Sequence, residues 1–155
     1  MIFISHRGNT EGRDESRENS PEQIDIAISK GFDVEIDVWV KGESIWLGHD
    51  TPDYEIDVEW LAQRKDRLWV HCKNSEAASL LKKRMPELNF FWHQQDDLVM
   101  TSKGHIWAYP GKQPIEGSIA VMPEIFGDDL SECEGICSDF IEKRREQFRD
   151  NQKIR

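Results

Sequence analysis

The stretch FDVEIDVWV, residues 32–40, decides the fold. It is rich in β-branched and aromatic residues, which is typical of a β-strand. Since successive side chains of a strand point to opposite faces, Glu35 and Asp37 share one face and the aliphatic residues around them share the other. The apolar run is too long for an exposed edge, so we predict a buried strand that carries two carboxylates. A solvated acidic edge strand is the alternative.

The paired carboxylates imply a counterion. Two carboxylates that point into one space repel each other unless a proton or a cation lies between them. A hard divalent cation with oxygen ligands is the simplest solution. His71 and Lys73 repeat the two-residue spacing farther along the chain. A lone histidine on an apolar strand is more often a core residue, but a buried lysine needs a partner such as an anionic ligand.

Short apolar runs bounded by Gly, Pro, Asp or Lys recur along the chain. We predict strands at IFIS (2–5), FDVEIDVWV (32–40), SIWLGH (44–49), LWVHC (68–72), NFFWH (89–93), DLVMT (97–101), HIWAY (105–109), SIAVMPE (118–124) and GICSD (135–139). We predict helices at SPEQIDIAISKG (20–31), DVEWLAQRK (57–65), SEAASLLKKRM (75–85) and SDFIEKRREQFRDNQ (138–152).

The order of these elements indicates the fold class. The first half alternates strands and helices, which favours a parallel sheet with helices outside. The second half has almost no room for helices between Leu98 and Ile136. With SIWLGH taken as a hairpin arm, the remaining strands match the count of a (β/α) barrel, although such barrels usually need about 200 residues. We predict an α/β fold: a shortened TIM-type barrel with several outer helices missing, in one domain over residues 1–155. An open α/β sheet is the alternative.

Composition narrows the function classes. The chain has 155 residues, 37% hydrophobic and 32% charged, with a net charge of -10, so a nucleic-acid partner is not expected. No apolar run approaches the roughly 18 residues of a membrane span. Three cysteines suit a reducing compartment, and no basic stretch precedes the first apolar run, so we expect a cytoplasmic protein. The sequence does not define an oligomeric state.

Four of the five histidines lie at or near the ends of predicted strands: His6, His49, His71 and His93. In a parallel barrel these ends share the face on which active sites lie. HRG (6–8), EN (18–19), GFDVEIDV (31–38) and HD (49–50) follow in an order and spacing that resemble the glycerophosphodiester phosphodiesterase family. HCK (71–73) resembles the family's next strand, and GICSDF (135–140) resembles its last barrel strand.

The resemblance implies a TIM-type barrel and a metal-dependent phosphoric diester hydrolase that acts on a small phosphodiester. It implies that Glu35 and Asp37 ligate the metal. His71 stands where the family has a third carboxylate, and we include it as a predicted ligand. We expect Mg²⁺ or Ca²⁺, with Mn²⁺ as the alternative because imidazole binds it better than it binds Mg²⁺.

The resemblance also implies that His6 and His49 are the acid–base pair and that Arg7 and Lys73 contact the phosphate. Arg7 can alternatively brace a carboxylate such as that of Glu18. The rival hypothesis is a non-catalytic binding module for a phosphorylated sugar or a lipid head group.

Four residues are predicted to contact substrate: Glu18, His93, Glu124 and Trp107. Three of them have a simpler interpretation. Glu124 fits a polar rim, His93 fits a polar loop, and core packing is the more common use of a tryptophan such as Trp107.

Overall fold

A computed structural model describes residues 1–153. Its strands are β1 (Ile2–His6), β2 (Asp33–Lys41), β3 (Ser44–Leu47), β4 (Tyr54–Ile56), β5 (Leu68–Cys72), β6 (Asn89–Phe91), β7 (Leu98–Met100), β8 (Ile106–Ala108), β9 (Ser118–Val121) and β10 (Gly135–Ser138). Its helices are α1 (Pro21–Ser29), α2 (Val58–Gln63), α3 (Ser75–Arg84) and α4 (Ile141–Lys153). All the predicted strands and helices are confirmed, and β4 was missed.

The strands form one curled sheet. Parallel pairing gives the order β6-β5-β2-β1-β10-β9-β8. The hairpin strands β3 and β4 extend the far end of β2 in antiparallel fashion. The Ser102 amide donates to the Phe90 carbonyl at 2.8 Å and Ser102 Oγ accepts from the Phe90 amide at 2.9 Å, which links β6 to the β7–β8 connection. The fold is a shortened TIM-type barrel, as predicted.

Among the strands predicted for the barrel, one departs from the parallel arrangement. Strand β7 pairs with β8 antiparallel, whereas the predicted barrel counts it among its parallel strands. The reason is the length of the connection: residues 101–105 suffice for a hairpin, but a parallel crossover needs about a dozen residues. Within the described residues no α-helix lies between β6 and β10.

The two faces of β2 have different surroundings. Val34, Ile36 and Val38 are fully buried and belong to the apolar core shared with α1 and α3. Glu35 and Asp37 face the barrel interior. Asp37 lies in register with His71 of β5. Alternation along one strand therefore separates the helix-covered core from a polar interior.

Aromatic side chains fill the interior below these polar groups. Trp107 is 2% exposed, and its ring lies 4.9 Å from that of Phe91 and 5.8 Å from that of Trp69 between centroids. Ile4 and Ile119 complete this cluster. The barrel interior is a packed core, which the polar groups cap at one end.

None of the four helices in residues 1–153 has the length and apolarity that crossing a membrane would require.

Candidate active site

A buried carboxylate pair forms the centre of the site. Glu35 is 3% exposed and Asp37 is 1% exposed. One potential ligand atom from each, together with one from His71, all lie within 4.8 Å of one another. Alternation along β2 aims both carboxylates inward, and the parallel pairing of β5 brings His71 beside Asp37. The structure thus groups the three predicted metal ligands.

The charges of this group are only partly compensated by protein. Glu35 Oε2 and Asp37 Oδ1 are buried and accept no well-aligned hydrogen bond, although His6 Nε2 lies 3.9 Å from the first and His71 Nδ1 lies 3.1 Å from the second. Burial and the adjacent Asp37 carboxylate raise the pKa of Glu35 to about 7. Burial alone would also raise the pKa of Asp37, but the neighbouring His71, Arg7 and Lys73 outweigh it and hold that pKa below its usual range. A polar atom buried without a partner costs free energy, so both oxygens are suited to a cation.

Asn19 holds Asp37 in place. Its Nδ2 donates to Asp37 Oδ2 at 2.9 Å and its Oδ1 accepts from the Asp37 amide at 2.9 Å. Asn19 is itself 1% exposed and has a left-handed backbone, with φ 62°. A non-glycine residue rarely adopts this conformation. Asn19 adopts this backbone conformation here and uses its side chain for both hydrogen bonds to Asp37.

His6 ends β1 and is held from behind. Its Nδ1 lies 2.8 Å from Asp139 Oδ1, and Asn9 Nδ2 donates to the same oxygen at 2.9 Å. An ionised carboxylate only accepts, so Nδ1 is the donor, and Nε2 faces Glu35 Oε2 at 3.9 Å. Burial lowers the pKa of His6, but the bond to Asp139 and the charge of Glu35 outweigh it, and the net pKa is raised.

The HRG motif is a left-handed turn. Arg7 has φ 56° and Gly8 has φ 86°. This turn places Arg7 Nε 3.2 Å from Asp37 Oδ2 and lets Nη1 donate to Glu18 Oε1 at 3.2 Å. Glycine is favoured after it, because a Cβ at Gly8 would lie 3.0 Å from Gln23 Cγ. Arg7 therefore braces Glu18, as one of its two interpretations predicted.

Lys73 comes directly after β5. Its amide donates to the Val38 carbonyl at 2.8 Å, which continues the β2–β5 ladder. Its Nζ lies 3.7 Å from Asp37 Oδ1, and the side chain is 16% exposed. The ammonium group is thus part of the site and accessible from its open side.

His49 lies on the turn that follows β3. The Gly48 amide donates to the Asp37 carbonyl at 3.1 Å, which ties this turn to β2. His49 Nδ1 lies 2.8 Å from Asp50 Oδ1, and the imidazole is 35% exposed. Burial and then the positive charge of Arg7 lower the pKa of His49. A polar cavity of about 150 Å³ lies between this turn and the loop that carries Glu18.

A wall of stacked rings continues the site on the side of β6 and β8. His93 stacks on His71 with centroids 4.9 Å apart, and it packs at a tilt against Tyr109 with centroids 4.1 Å apart. His93 Nδ1 is buried without a hydrogen bond. Burial, and next the neighbouring His71, lower the pKa of His93 to about 4. His93 therefore lies beside the three grouped side chains through His71, and its contact with substrate stays a prediction.

Two predicted substrate contacts lie elsewhere. Trp107 belongs to the packed interior described above, because it occupies the layer of β8 below Tyr109. Glu124 Oε1 accepts from Ser138 Oγ at 2.8 Å and Glu124 Oε2 lies 3.3 Å from Arg144. Since Ser138 alternates with the inward-facing Cys137, these bonds hold Glu124 outside the barrel. Both assignments to substrate binding are therefore corrected.

Sequence reasoning missed the supporting residues Asp139, Asn9 and Tyr109. The GICSDF motif and the strand-end rule both pointed to Asp139, but nothing in the sequence paired it with His6 across the whole chain. Asn9 follows the HRG motif without any pattern of its own. Its amide joins Glu18 to Asp139, at 3.3 Å and 2.9 Å.

The sequence matches no protein-family model and none of the curated proteins. The fold is similar to that of a candidate glycerophosphodiester phosphodiesterase from Galdieria sulphuraria, with a TM-score of 0.52, 13% identity, and 90% of this chain and 94% of that chain covered. It is also similar to a glycerophosphodiester phosphodiesterase from Parabacteroides distasonis, with a TM-score of 0.52, 9% identity, and 97% and 98% covered. The chain therefore resembles glycerophosphodiester phosphodiesterases in fold as well as in motif order.

Proposed function

We propose that this protein is a metal-dependent phosphoric diester hydrolase of the glycerophosphodiester phosphodiesterase type. The observation that carries the proposal is the buried group of Glu35, Asp37 and His71, with two carboxylate oxygens that accept no well-aligned hydrogen bond and with Arg7 and Lys73 beside it. The fold similarity supports this class of reaction, although a fold alone does not define an activity.

The donor set fits a divalent metal ion. Two carboxylates and one imidazole suit Mg²⁺, Ca²⁺ or Mn²⁺, and the imidazole of His71 shifts the preference toward Mn²⁺. A metal ion held by Glu35, Asp37 and His71 would supply Lewis-acid stabilisation of charge on the phosphoryl oxygens.

The surrounding side chains have separate tasks in this proposal. Lys73 and Arg7 bind the phosphoryl oxygens through charge-assisted hydrogen bonds. His6 and His49 divide the proton work: one removes a proton from the attacking hydroxyl or water, and the other protonates the leaving alkoxide. Asp139 fixes the ring orientation of His6 and leaves Nε2 directed into the site.

The test is hydrolysis of bis(p-nitrophenyl) phosphate and of glycerophosphocholine, after EDTA treatment and addition of Mg²⁺, Ca²⁺ or Mn²⁺. We expect His6→Ala and His49→Ala each to lower the rate at least about 10²-fold. His105→Ala is the matched control, because His105 precedes β8 at the opposite end of the barrel, where its ring packs at a tilt against Trp69. We expect that control to stay within about twofold of wild type, since it lies outside the reacting group.

Two results would contradict the proposal. Hydrolysis that survives EDTA unchanged would exclude the metal-dependent route. Calorimetric binding of a phosphorylated sugar or a lipid head group, with no turnover under any of the three metals, would favour the non-catalytic binding module.

A further inference from the structure

A buried asparagine lies between two pairs of residues in the candidate site. The histidine pair is His6 with Asp139, and the phosphate pair is Arg7 with Glu18. Asn9 Nδ2 donates to both carboxylates, to Asp139 Oδ1 at 2.9 Å and to Glu18 Oε2 at 3.3 Å. A continuous chain of hydrogen bonds therefore runs from the imidazole of His6 through Asn9 to the guanidinium of Arg7.

Asn9 is the link between the two pairs. Within residues 1–153, it is the one side chain whose hydrogen bonds reach both Glu18 and Asp139. The other partners of these carboxylates are separate: His6 contacts Asp139, whereas Arg7 and Arg13 contact Glu18. A change at one carboxylate therefore reaches the other most directly through the amide of Asn9.

Hydrogen bonds fix the orientation of the Asn9 side chain. Its Oδ1 accepts from the Asp14 amide at 3.2 Å. Because Oδ1 faces an N–H group, Nδ2 has to face the two carboxylates. The backbone of Asn9 is also held, since its amide donates to the His6 carbonyl at 2.9 Å and its carbonyl accepts from Ser5 Oγ at 2.7 Å. Asn9 is 1% exposed, so water does not replace these bonds.

The side chain of Asn9 is not needed to hold the loop that carries Glu18. Backbone bonds already do so: the Gly12 amide donates to the Asp139 carbonyl at 2.9 Å, and the Asn19 amide donates to the Arg7 carbonyl at 2.8 Å. The side chain instead spends both of its donor hydrogens on carboxylates that hold reacting groups. This use indicates a role in the site.

Few other side chains could make these contacts. An aspartate of the same shape would place a third carboxylate between Glu18 and Asp139, and like charges repel. A serine has one hydroxyl proton and donates to one carboxylate only. The amide group of asparagine has two donor hydrogens and one acceptor, which match the two carboxylates and the Asp14 amide.

We propose that Asn9 is a positioning residue that couples the binding of phosphate by Arg7 to the orientation of His6. A phosphoryl group that draws the Arg7 guanidinium away from Glu18 makes that carboxylate depend more on Asn9. The shared amide then changes its hold on Asp139, which orients the imidazole. This inference rests on the proposed function, because it concerns how two groups of that site act together.

A double-mutant cycle tests the coupling. Glu18→Gln and Asp139→Asn are made singly and together, and kcat/KM is measured on bis(p-nitrophenyl) phosphate with Mn²⁺. We expect the combined loss to differ from the product of the single losses by at least about threefold, because residues in one hydrogen-bond network are not additive. With Asn9→Ala in all four proteins, we expect the single losses to multiply to within about twofold.

Two further variants separate this role from a structural one. Asn9→Ser is the second variant if Asn9→Ala does not fold, and it should also abolish the coupling, since serine reaches one carboxylate only. Asn89→Ala is the matched control, because Asn89 is a buried asparagine at the start of β6, opposite the end of the strand that faces the site. We expect the coupling between Glu18 and Asp139 to survive in this control.

Proton NMR of the free protein gives a readout that needs no activity. The proton on His6 Nδ1 is hydrogen-bonded to Asp139, and its resonance is assigned by its absence in His6→Ala. We expect Glu18→Gln to shift this resonance when Asn9 is present and to leave it unchanged when Asn9→Ala is added. The distance from Glu18 to His6 is then bridged by Asn9 alone.

Three results would overturn the inference: single losses that multiply in the protein with Asn9, a coupling that persists in Asn9→Ala, or a His6 resonance that ignores Glu18→Gln. Failure of the proposed function looks different. Wild type that hydrolyses no diester under any metal, with the His6 resonance still responding to Glu18 through Asn9, would overturn the proposed reaction and leave the connection between the two pairs standing.

Discussion

The first half of the chain, from β1 to α3, and the second half, from β6 to α4, are built differently within one sheet. In the first half β2 has 9 residues, and α1 and α3 contribute to the buried core on its outer face. In the second half β6, β7 and β8 have 3 residues each, and no helix follows until α4 within the described part. Both halves nevertheless contribute to one interior.

The comparison shows that most of the reactive groups and most of the interior packing come from different halves of the chain. The first half supplies the carboxylate pair and the cationic groups of the candidate site. The second half supplies Asp139 behind His6, the rings of His93 and Tyr109, and most of the interior aromatic core. In the second half, the packing of large side chains in the interior stabilises the short strands, as the covering helices stabilise the longer strand in the first half.

The strongest effect is expected at Asp37, in the first half. Asp37→Asn removes a carboxylate that Arg7, Lys73, His71 and Asn19 contact. We expect the hydrolysis rate to fall about 10³-fold, because metal and phosphate binding both depend on this charge. Steady-state kinetics measure it, with the exposed Asp66→Asn as control. A fall in rate of less than tenfold would show that the carboxylate pair takes no part in the reaction.

Much of the first half could be predicted from the sequence. The alternation of Glu35 and Asp37 with aliphatic residues gives both the strand and the face that carries the site. Local rules of this kind apply because the interacting residues are close in the sequence or lie on neighbouring strands. They place His71 beside Asp37 as well, once β2 and β5 are taken as parallel neighbours.

The second half was predictable in its strands but not in its contacts. The reversed direction of β7 depends on a five-residue connection that also carries the link to β6. The bond between His6 and Asp139 joins residues 133 positions apart, so no periodicity reveals it. Trp107 failed as a site prediction because it faces inward one layer below the site, and Glu124 failed because it lies outside the barrel; strand position alone gives neither the depth nor the side of a side chain.

A core substitution in the second half tests whether aromatic packing closes the barrel. We expect Trp107→Ala to lower the free energy of unfolding by about 3 kcal/mol, because a buried aromatic leaves a cavity. Trp92→Ala is the matched control, with an expected change below about 1 kcal/mol at a partly exposed position. Urea denaturation measures both. Equal losses of unfolding free energy in the two variants would mean that the interior rings do not stabilise the second half.

A smaller effect is expected at Asn19, which supports the first-half site without touching substrate. Asn19→Gly keeps the left-handed backbone accessible but removes both hydrogen bonds to Asp37. We expect Mn²⁺ affinity to fall about 10- to 100-fold, as for other groups that orient a metal ligand. Calorimetry measures the affinity, and the exposed Asn151→Ala is the control. An unchanged affinity with an intact fold would show that Asp37 needs no such support.

The smallest effect concerns the bond that joins the two halves. Burial alone would raise the pKa of Asp139, but hydrogen bonds from His6 and Asn9 and the charge of His6 lower it below the usual value. A depressed carboxyl pKa adds stability above the unfolded-state pKa of about 4, and this stability is lost as the pH falls through the folded-state pKa. We expect Asp139→Asn to destabilise the protein more at pH 7 than at pH 3. Chemical denaturation at both pH values measures this, and a pH-independent difference would contradict it.

The central claim is that Glu35, Asp37 and His71 bind one divalent ion. A crystal structure of the protein with Mn²⁺, with anomalous scattering measured, tests it most directly. We predict one anomalous peak within about 2.0–2.6 Å of an oxygen from each carboxylate and a nitrogen of His71. A peak elsewhere on the protein, with no ion beside Glu35, Asp37 and His71, would contradict the claim.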